Sequence, residues 1–302
     1  MTDQNRTPAG DKAGVPKRIF APAQVEAKTA REAVITPQTE DPSYRLAFQD
    51  DEFLLREDLR PVRFQLELLK TQVTLEEANI ASTFVFYGSA RIPEPERAQM
   101  LVDAAKTPEQ RRIAERLASI AHYYDEARKL ARMASQVGCD ADGKRQFVVC
   151  SGGGPSIMEA ANRGARDVGA DTIGLNIVLP HEQAPNEYVT PHLSLRFHYF
   201  ALRKMHFLLH ARAVAVFPGG FGTFDEMFEL LTLIQTGKTS PMPIVLFGRQ
   251  FWETVVNWQA LADYGVIAPQ DLDLFRFVET AEEAWEVVRD YYAVEDTRSA
   301  TE

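Results

Sequence analysis

Cysteine is nearly absent from this chain: Cys139 and Cys150 are the only two in 302 residues. Two thiols cannot frame a disulfide-stapled fold. Neither stands in a Cys-x-x-Cys or matched Cys/His spacing, so structural zinc is excluded and both read as free thiols. Long apolar runs are missing too. No stretch approaches the roughly 18 residues that a membrane-spanning helix needs. The polar opening from Met1 to Lys17 has no hydrophobic signal region, which predicts a soluble, cytoplasmic protein with no membrane partner. Positive charge is scarce: 33 Lys and Arg stand against 43 Asp and Glu, a net charge of −10. Wrapping nucleic acid takes a basic excess, so nucleic acid is excluded as a partner, and any phosphate bound here must be small and held locally. What is present, 45% apolar and 25% charged residues, suffices for one full core.

Residues 1–40 are rich in Ala, Pro, Thr and charge without sustained periodicity and read as a disordered tail. Residues 41–80 form a helical extension, with Phe53 and Leu54 and then Leu66, Leu69 and Val73 at helical spacing, and with Pro61 forcing a break or a new start. From 81 to 295 short β-rich runs alternate with longer helical ones. Strands are expected over 83–87, 147–150, 172–178, 193–197, 213–217, 244–247 and 274–278. Helices are expected over 110–137, 156–168, 198–210, 223–235, 250–262 and 281–292. This alternation is that of an α/β fold, a doubly wound parallel sheet covered on both faces, here a single Rossmann-like domain with a helical N-terminal extension. Residues 93–108 read as a polar excursion after the first strand, and 296–302 as a polar tail.

In such folds ligands gather beyond the carboxyl ends of the strands. Three strands end in glycine-bearing loops: Gly88-Ser89-Ala90-Arg91, then Ser151-Gly152-Gly153-Gly154-Pro155-Ser156, then Pro218-Gly219-Gly220-Phe221-Gly222-Thr223. Glycine permits a tight turn and a close backbone approach, and the helix that follows offers unpaired amides and the positive end of its dipole, so a nucleotide phosphate is the natural occupant. Glu226, one helical turn inside the last of these, sets a carboxylate beside the bound anion. A purely structural turn has no reason to accept that repulsion. Two familiar motifs fail. Gly152-x-Gly154-x-x-Ile157 lacks the third glycine of the dinucleotide fingerprint, and Gly237-Lys238-Thr239 follows a helix where a P-loop precedes one.

The run PGGFGTFDE, from Pro218 to Glu226, resembles the Pro-Gly-Gly-x-Gly-Thr-x-x-Glu signature of the LOG ("Lonely Guy") family, long labelled lysine decarboxylases. Three further blocks carry the likeness: Arg203-Lys204 in FHYFALRKMHF, the triple-glycine loop in SGGGPSIMEAANRGA, and GLNIVLPHEQAPNEY from Gly174 to Tyr188. The similarity runs from about Phe84 to Phe247. The resemblance implies a nucleoside 5′-monophosphate phosphoribohydrolase, which cleaves the N-glycosidic bond to free base and ribose 5-phosphate without a cofactor. In plants and some bacteria the base released is a cytokinin; elsewhere AMP or related nucleotides are the substrates. It also implies a homodimer or higher homo-oligomer, with Arg203 near the shared cleft.

Glycosidic cleavage develops positive charge on the sugar and needs a carboxylate nearby. Glu226 is that candidate; it can bind sugar hydroxyls, stabilise the oxocarbenium-like state or activate water. Arg203, fixed in charge and forked in shape, suits the phosphate or the charge that develops on the reacting group, and by family resemblance it is the second catalytic residue. The substrate-binding set is Pro218, Thr223 and the amides of Gly219, Gly220 and Gly222 for the phosphate, with Gly88, Ser89, Gly152, Gly153, Gly154 and Lys204. Glu159 either faces the ribose or is a solvated helix position, and His181, Glu182, Gln183 and Asn186 belong to a polar loop that can line a base pocket. His206 and His210 stand four apart but no carboxylate accompanies them at ligand spacing, so no metal is expected. The helix carrying Phe200, Leu202, Phe207, Leu208 and Leu209 is apolar on more than one face, which points to a partner chain. A carrier that holds a nucleotide or cofactor without turnover is the competing reading; it would need the glycine loops but not the carboxylate.

Overall fold

A computed structural model describes residues 20–32, 34–180 and 184–293. The chain divides into two compact units, Met1–Gln65 and Leu66–Glu302. Within the first, α1 (Ala23–Arg31), α2 (Pro37–Glu40) and α3 (Asp51–Leu54) bury no side chains. Two of them fall inside the stretch expected to be disordered, of which residues 1–19 and 33 lie outside the described residues. Local signals account for them. α1 is built mostly of strong helix formers, and α2 starts on a reciprocal Thr36/Thr39 capping box with Pro37 in its first turn. Neither signal has the periodicity of a buried face.

α4 (Arg60–Glu77) crosses from one unit into the other, with Pro61 in its first turn, where a missing amide costs nothing. The second unit continues β1 (Thr83–Tyr87), α5 (Pro95–Asp103), α6 (Pro108–Ser119), α7 (His122–Ala134), β2 (Val148–Ser151), α8 (Ile157–Arg166), β3 (Ile173–Ile177), β4 (Ser194–Phe197), α9 (Phe200–Leu209) and β5 (Ala211–Val216). It ends with α10 (Phe221–Gln235), β6 (Ile244–Phe247), α11 (Arg249–Val255), α12 (Trp258–Asp263), β7 (Arg276–Val278) and α13 (Ala281–Tyr292). Among these helices none is long and apolar enough to cross a membrane. Cys139 is exposed and Cys150 buried, both free.

The seven strands form one sheet in the order β4-β3-β2-β1-β5-β6-β7, every neighbour parallel. β1, β2 and β6 are buried along their whole length, as expected of strands covered on both faces. Phe84, Phe86, Phe217 and Phe247 pack with α7, α8 and α13 on one face. By strand alternation Tyr87 points the other way, edge-on to Phe207 of α9 at 5.2 Å between centroids. The chain works outward from β1 in one direction through β4, then returns to β5 on the other side, so the strand order reverses between β1 and β5. That switch point is where a doubly wound sheet opens a crevice.

Three expectations differ from the observed elements. The helix expected over 110–137 is two, α6 and α7, parted near Ile120, and that over 250–262 is α11 and α12, the second restarted by Asn257, whose side chain accepts from Ala260 N. The polar excursion of 93–108 contains α5. In α4 the stripe Leu66, Leu69 and Val73 is exposed, and Thr71 and Leu75 are the buried positions. Helical period announces a helix; which face turns inward is decided by what packs against it. Residues 296–302 lie outside the described residues.

Candidate active site

β1 and β5 end side by side. Phe217 N donates to Tyr87 O at 2.8 Å and Ser89 N to Pro218 O at 3.1 Å, which locks the two loops at the crevice. Between them lies a cleft of about 880 Å³ whose lining includes Tyr87, Gly88, Ser89, Arg91, Gly152, Arg203, Gly219, Gly220, Gly222, Thr223 and Glu226.

The turn after β5 needs glycine for a stated reason at one position: a Cβ on Gly219 would fall 2.1 Å from Thr223 Oγ1. Gly220 and Gly222 face open space. Gly220 is the N-cap of α10, so the unpaired amides of the first turn open toward the cleft. Gly88 serves packing, since a Cβ there would sit 2.5 Å from Ile157 Cγ2, where the start of α8 presses on β1.

Glu226, six residues into α10, is only 6% exposed. Its Oε1 accepts from Arg203 Nη2 at 3.3 Å. Burial pushes its carboxyl up from the ordinary range to about 7, against the opposing pull of Arg203 and Lys204. The Arg203 guanidinium lies over the rings of Phe200 and Phe207 at 5.0 and 5.6 Å, which fixes its plane. Lys204, the next residue, points elsewhere: its Nζ pairs with Asp225 Oδ1 at 2.9 Å and Glu229 Oε2 at 2.7 Å. Arg203 and Lys204 thus join α9 to α10 at successive positions, one inside the cleft and the other outside it.

The triple-glycine loop is built differently. Gly153 has φ +70°. Its amide donates to Ser151 Oγ at 3.0 Å and its carbonyl accepts from Asn186 N at 2.9 Å, while Asn186 Nδ2 donates to Gly154 O and to the fully buried Asn162, each at 2.9 Å. Only Gly152 of the three lines the cleft. Asn186 braces this loop. Glu159 accepts from Tyr124 Oη at 3.0 Å, beside the Arg163–Glu94 pair at 2.7 Å, and is not among the cleft residues. Pro218 is buried and contributes its carbonyl to Ser89; His181, Glu182 and Gln183 lie outside the described residues.

The cleft therefore gathers Gly88, Ser89, Gly152, Arg203, Gly219, Gly220, Gly222, Thr223 and Glu226, and leaves Gly153, Gly154, Glu159, Lys204 and Pro218 outside its lining. Arg91, Tyr87 and Phe221 were missed. Arg91 sits in a loop read for its glycine, and Phe221 is the variable position of the turn, 96% exposed at the cleft. Tyr87 ends a strand whose apolar run looks like core alone.

Solved structures similar to the chain include these two. TM1055, a structural-genomics target, is 19% identical over 69% of this chain and 99% of that one, with a TM-score of 0.42. The Moco carrier protein from Chlamydomonas reinhardtii is 17% identical over 70% and 98%, with a TM-score of 0.38. No curated protein sequence matches. Residues 158–288 match the family model described as "Possible lysine decarboxylase". That stretch starts after the triple-glycine loop and extends past the similarity expected to end near residue 247. It contains Arg203 and the whole turn from Pro218 to Glu226.

Proposed function

We propose that this protein hydrolyses the N-glycosidic bond of a nucleoside 5′-monophosphate, AMP or a related purine nucleotide, giving free base and ribose 5-phosphate. The observation that carries the reading is Glu226: a carboxyl 6% exposed, raised to about 7 and hydrogen-bonded by Arg203, one turn behind a glycine turn with open amides. The 5′-phosphate takes the amides of Gly219, Gly220, Gly222 and Thr223, which sets the ribose over Glu226. As the bond between C1′ and the base breaks, the electron pair leaves with the base, and positive charge grows on the sugar. Ionised Glu226 stabilises that charge and takes the proton of the water that attacks C1′, while the departing base takes up a proton from solvent to become the free base. Arg203 opposes the burial that would keep Glu226 neutral, and Arg91 adds a second cation at the cleft. An ionisation near neutrality suits this proton transfer.

A panel of nucleoside 5′-monophosphates, each assayed for free base beside its unphosphorylated nucleoside, tests the reading. Release from a monophosphate and not from its nucleoside is expected, because the turn binds the phosphate. Tight binding with no release from any of them would move the function to a carrier. We also propose a homodimer, supported by Phe200, Met205 and Leu209 of α9 at 51%, 46% and 45% exposure; a monodisperse monomer in light scattering would contradict it.

A further inference from the structure

Arg203 is held in the cleft by more than α9 itself. The two residues that lead from β4 into α9, His198 and Tyr199, donate their backbone amides to one carboxylate: His198 N to Glu67 Oε2 and Tyr199 N to Glu67 Oε1, each at 3.0 Å. A carboxylate at that end also complements the positive end of the α9 dipole. Tyr199 then passes the constraint on directly, since its carbonyl accepts the amide of Arg203 at 3.2 Å. The side chain of Arg203 reaches Glu226. A chain of hydrogen bonds thus runs from Glu67 through Tyr199 and Arg203 to the buried carboxylate.

Glu67 is able to act this way because α4 is anchored. Glu67, Thr71 and Leu75 recur every four residues on one face, and Thr71 and Leu75 are 3% and 2% exposed. Just beyond the helix the Arg145 guanidinium grips Ala78 O at 2.6 Å through Nη2 and pairs with Asp171 at 2.6 Å, while Ala81 N donates to Arg145 O at 3.0 Å. A helix pinned at its far end holds its carboxylate at a fixed place. Its apolar stripe is exposed, so the inward face is the one with the polar work.

We infer that Glu67 is a positioning residue for Arg203, through which the later part of α4 sets the geometry of the Arg203–Glu226 pair; the inference rests on the hydrolase reading above. Losing the carboxylate frees the first turn of α9 and loosens Arg203, without touching ligand. Glu67→Ala should lower kcat/KM for AMP about tenfold. Glu67→Gln retains one acceptor oxygen and should lose about threefold.

The test is Glu67→Ala and Glu67→Gln in the full chain, each in the natural and the Arg203→Ala background, with amide exchange at Tyr199 and Arg203 followed in parallel. The account expects Glu67→Ala to cost activity only where Arg203 is present, and to speed exchange at both amides while β5 is unaffected. A general loss of folding would instead lower activity by the same factor in both backgrounds, and that result, or unchanged exchange at Arg203, overturns the inference. If the unaltered protein releases base from no monophosphate, the hydrolase reading fails by itself. Exchange at Tyr199 and Arg203 then decides the link from Glu67: acceleration upholds it and no change removes it.

Discussion

Two strand exits of this molecule look alike in sequence and differ in build. The loop after β2 carries three consecutive glycines and the turn after β5 carries three in four residues, and each is followed within a turn by a glutamate on a helix. After β2 Gly153 and Gly154 are absorbed by the scaffold, and Gly152 alone reaches the cleft. Gly153 takes a left-handed φ of +70°, Asn186 occupies the loop carbonyls, and Glu159 is used by Tyr124. After β5 only Gly219 is needed for fit, Gly220 and Gly222 stand open, and Glu226 is buried against Arg203. Glycine density marks a close approach of backbone to something. Whether that something is a ligand or the rest of the chain depends on which amides remain free and on whether a costly buried charge stands beside them.

Four experiments break or sharpen this contrast. The largest effect is expected from Gly220→Asp. The site has room for a side chain, and φ at this N-cap is −100°, so the fold is kept and the helix even gains a good cap. The new carboxylate faces the anion, and calorimetry should find AMP binding lost; unchanged affinity would put the phosphate elsewhere. Next, Arg203→Ala should lower turnover by about 10²-fold and weaken binding as well, whereas Glu159→Gln on the other helix should stay within about twofold. Equal losses would erase the distinction between the two loops.

The third concerns pH. With the Glu226 carboxyl raised to about 7, kcat/KM should rise with pH along a limb centred there. Stability moves the opposite way. Between about 4.5 and about 7 the unfolded chain gives up this proton and the folded one keeps it, so stability falls as pH rises through that window. Glu226→Gln should therefore be more stable than the natural protein by about 3 kcal/mol well above pH 7, a gain that vanishes below the window; thermal melts at both ends of the range check it. The smallest effect is expected from Gly153→Ala, which forces an L side chain into a left-handed φ and sets its Cβ 2.9 Å from the Asn176 amide. It should cost about 1–2 kcal/mol of stability with turnover little changed, read by denaturant melts beside rate assays.

The legible parts of the chain were those in which one local rule decides the outcome. β1 and β6 coincide with their apolar runs, α13 with the helix expected over 281–292, and the Pro218–Glu226 turn with a motif whose chemistry is local. Splits such as α6/α7 at Ile120 were invisible because amphipathic period continues across them. The inward face of α4 was not legible: Glu67 meets the His198 and Tyr199 amides more than a hundred residues away and Thr71 is buried, and no window of sequence contains both sides. The same holds in the site. Arg203 with Glu226 was readable from motif, but Glu159 could be placed only once Tyr124 was seen to take it.

The central claim is that Glu226 performs chemistry at a site whose binding is done by the turn. Purified Glu226→Gln, with folding verified by circular dichroism, should bind AMP or the best monophosphate as the natural protein does, because the amide keeps the size and a hydrogen-bond acceptor for Arg203. Base release should fall by about 10²–10³-fold, because the charge opposite the sugar is gone. Release of free base at the natural rate would contradict the assignment of this carboxylate.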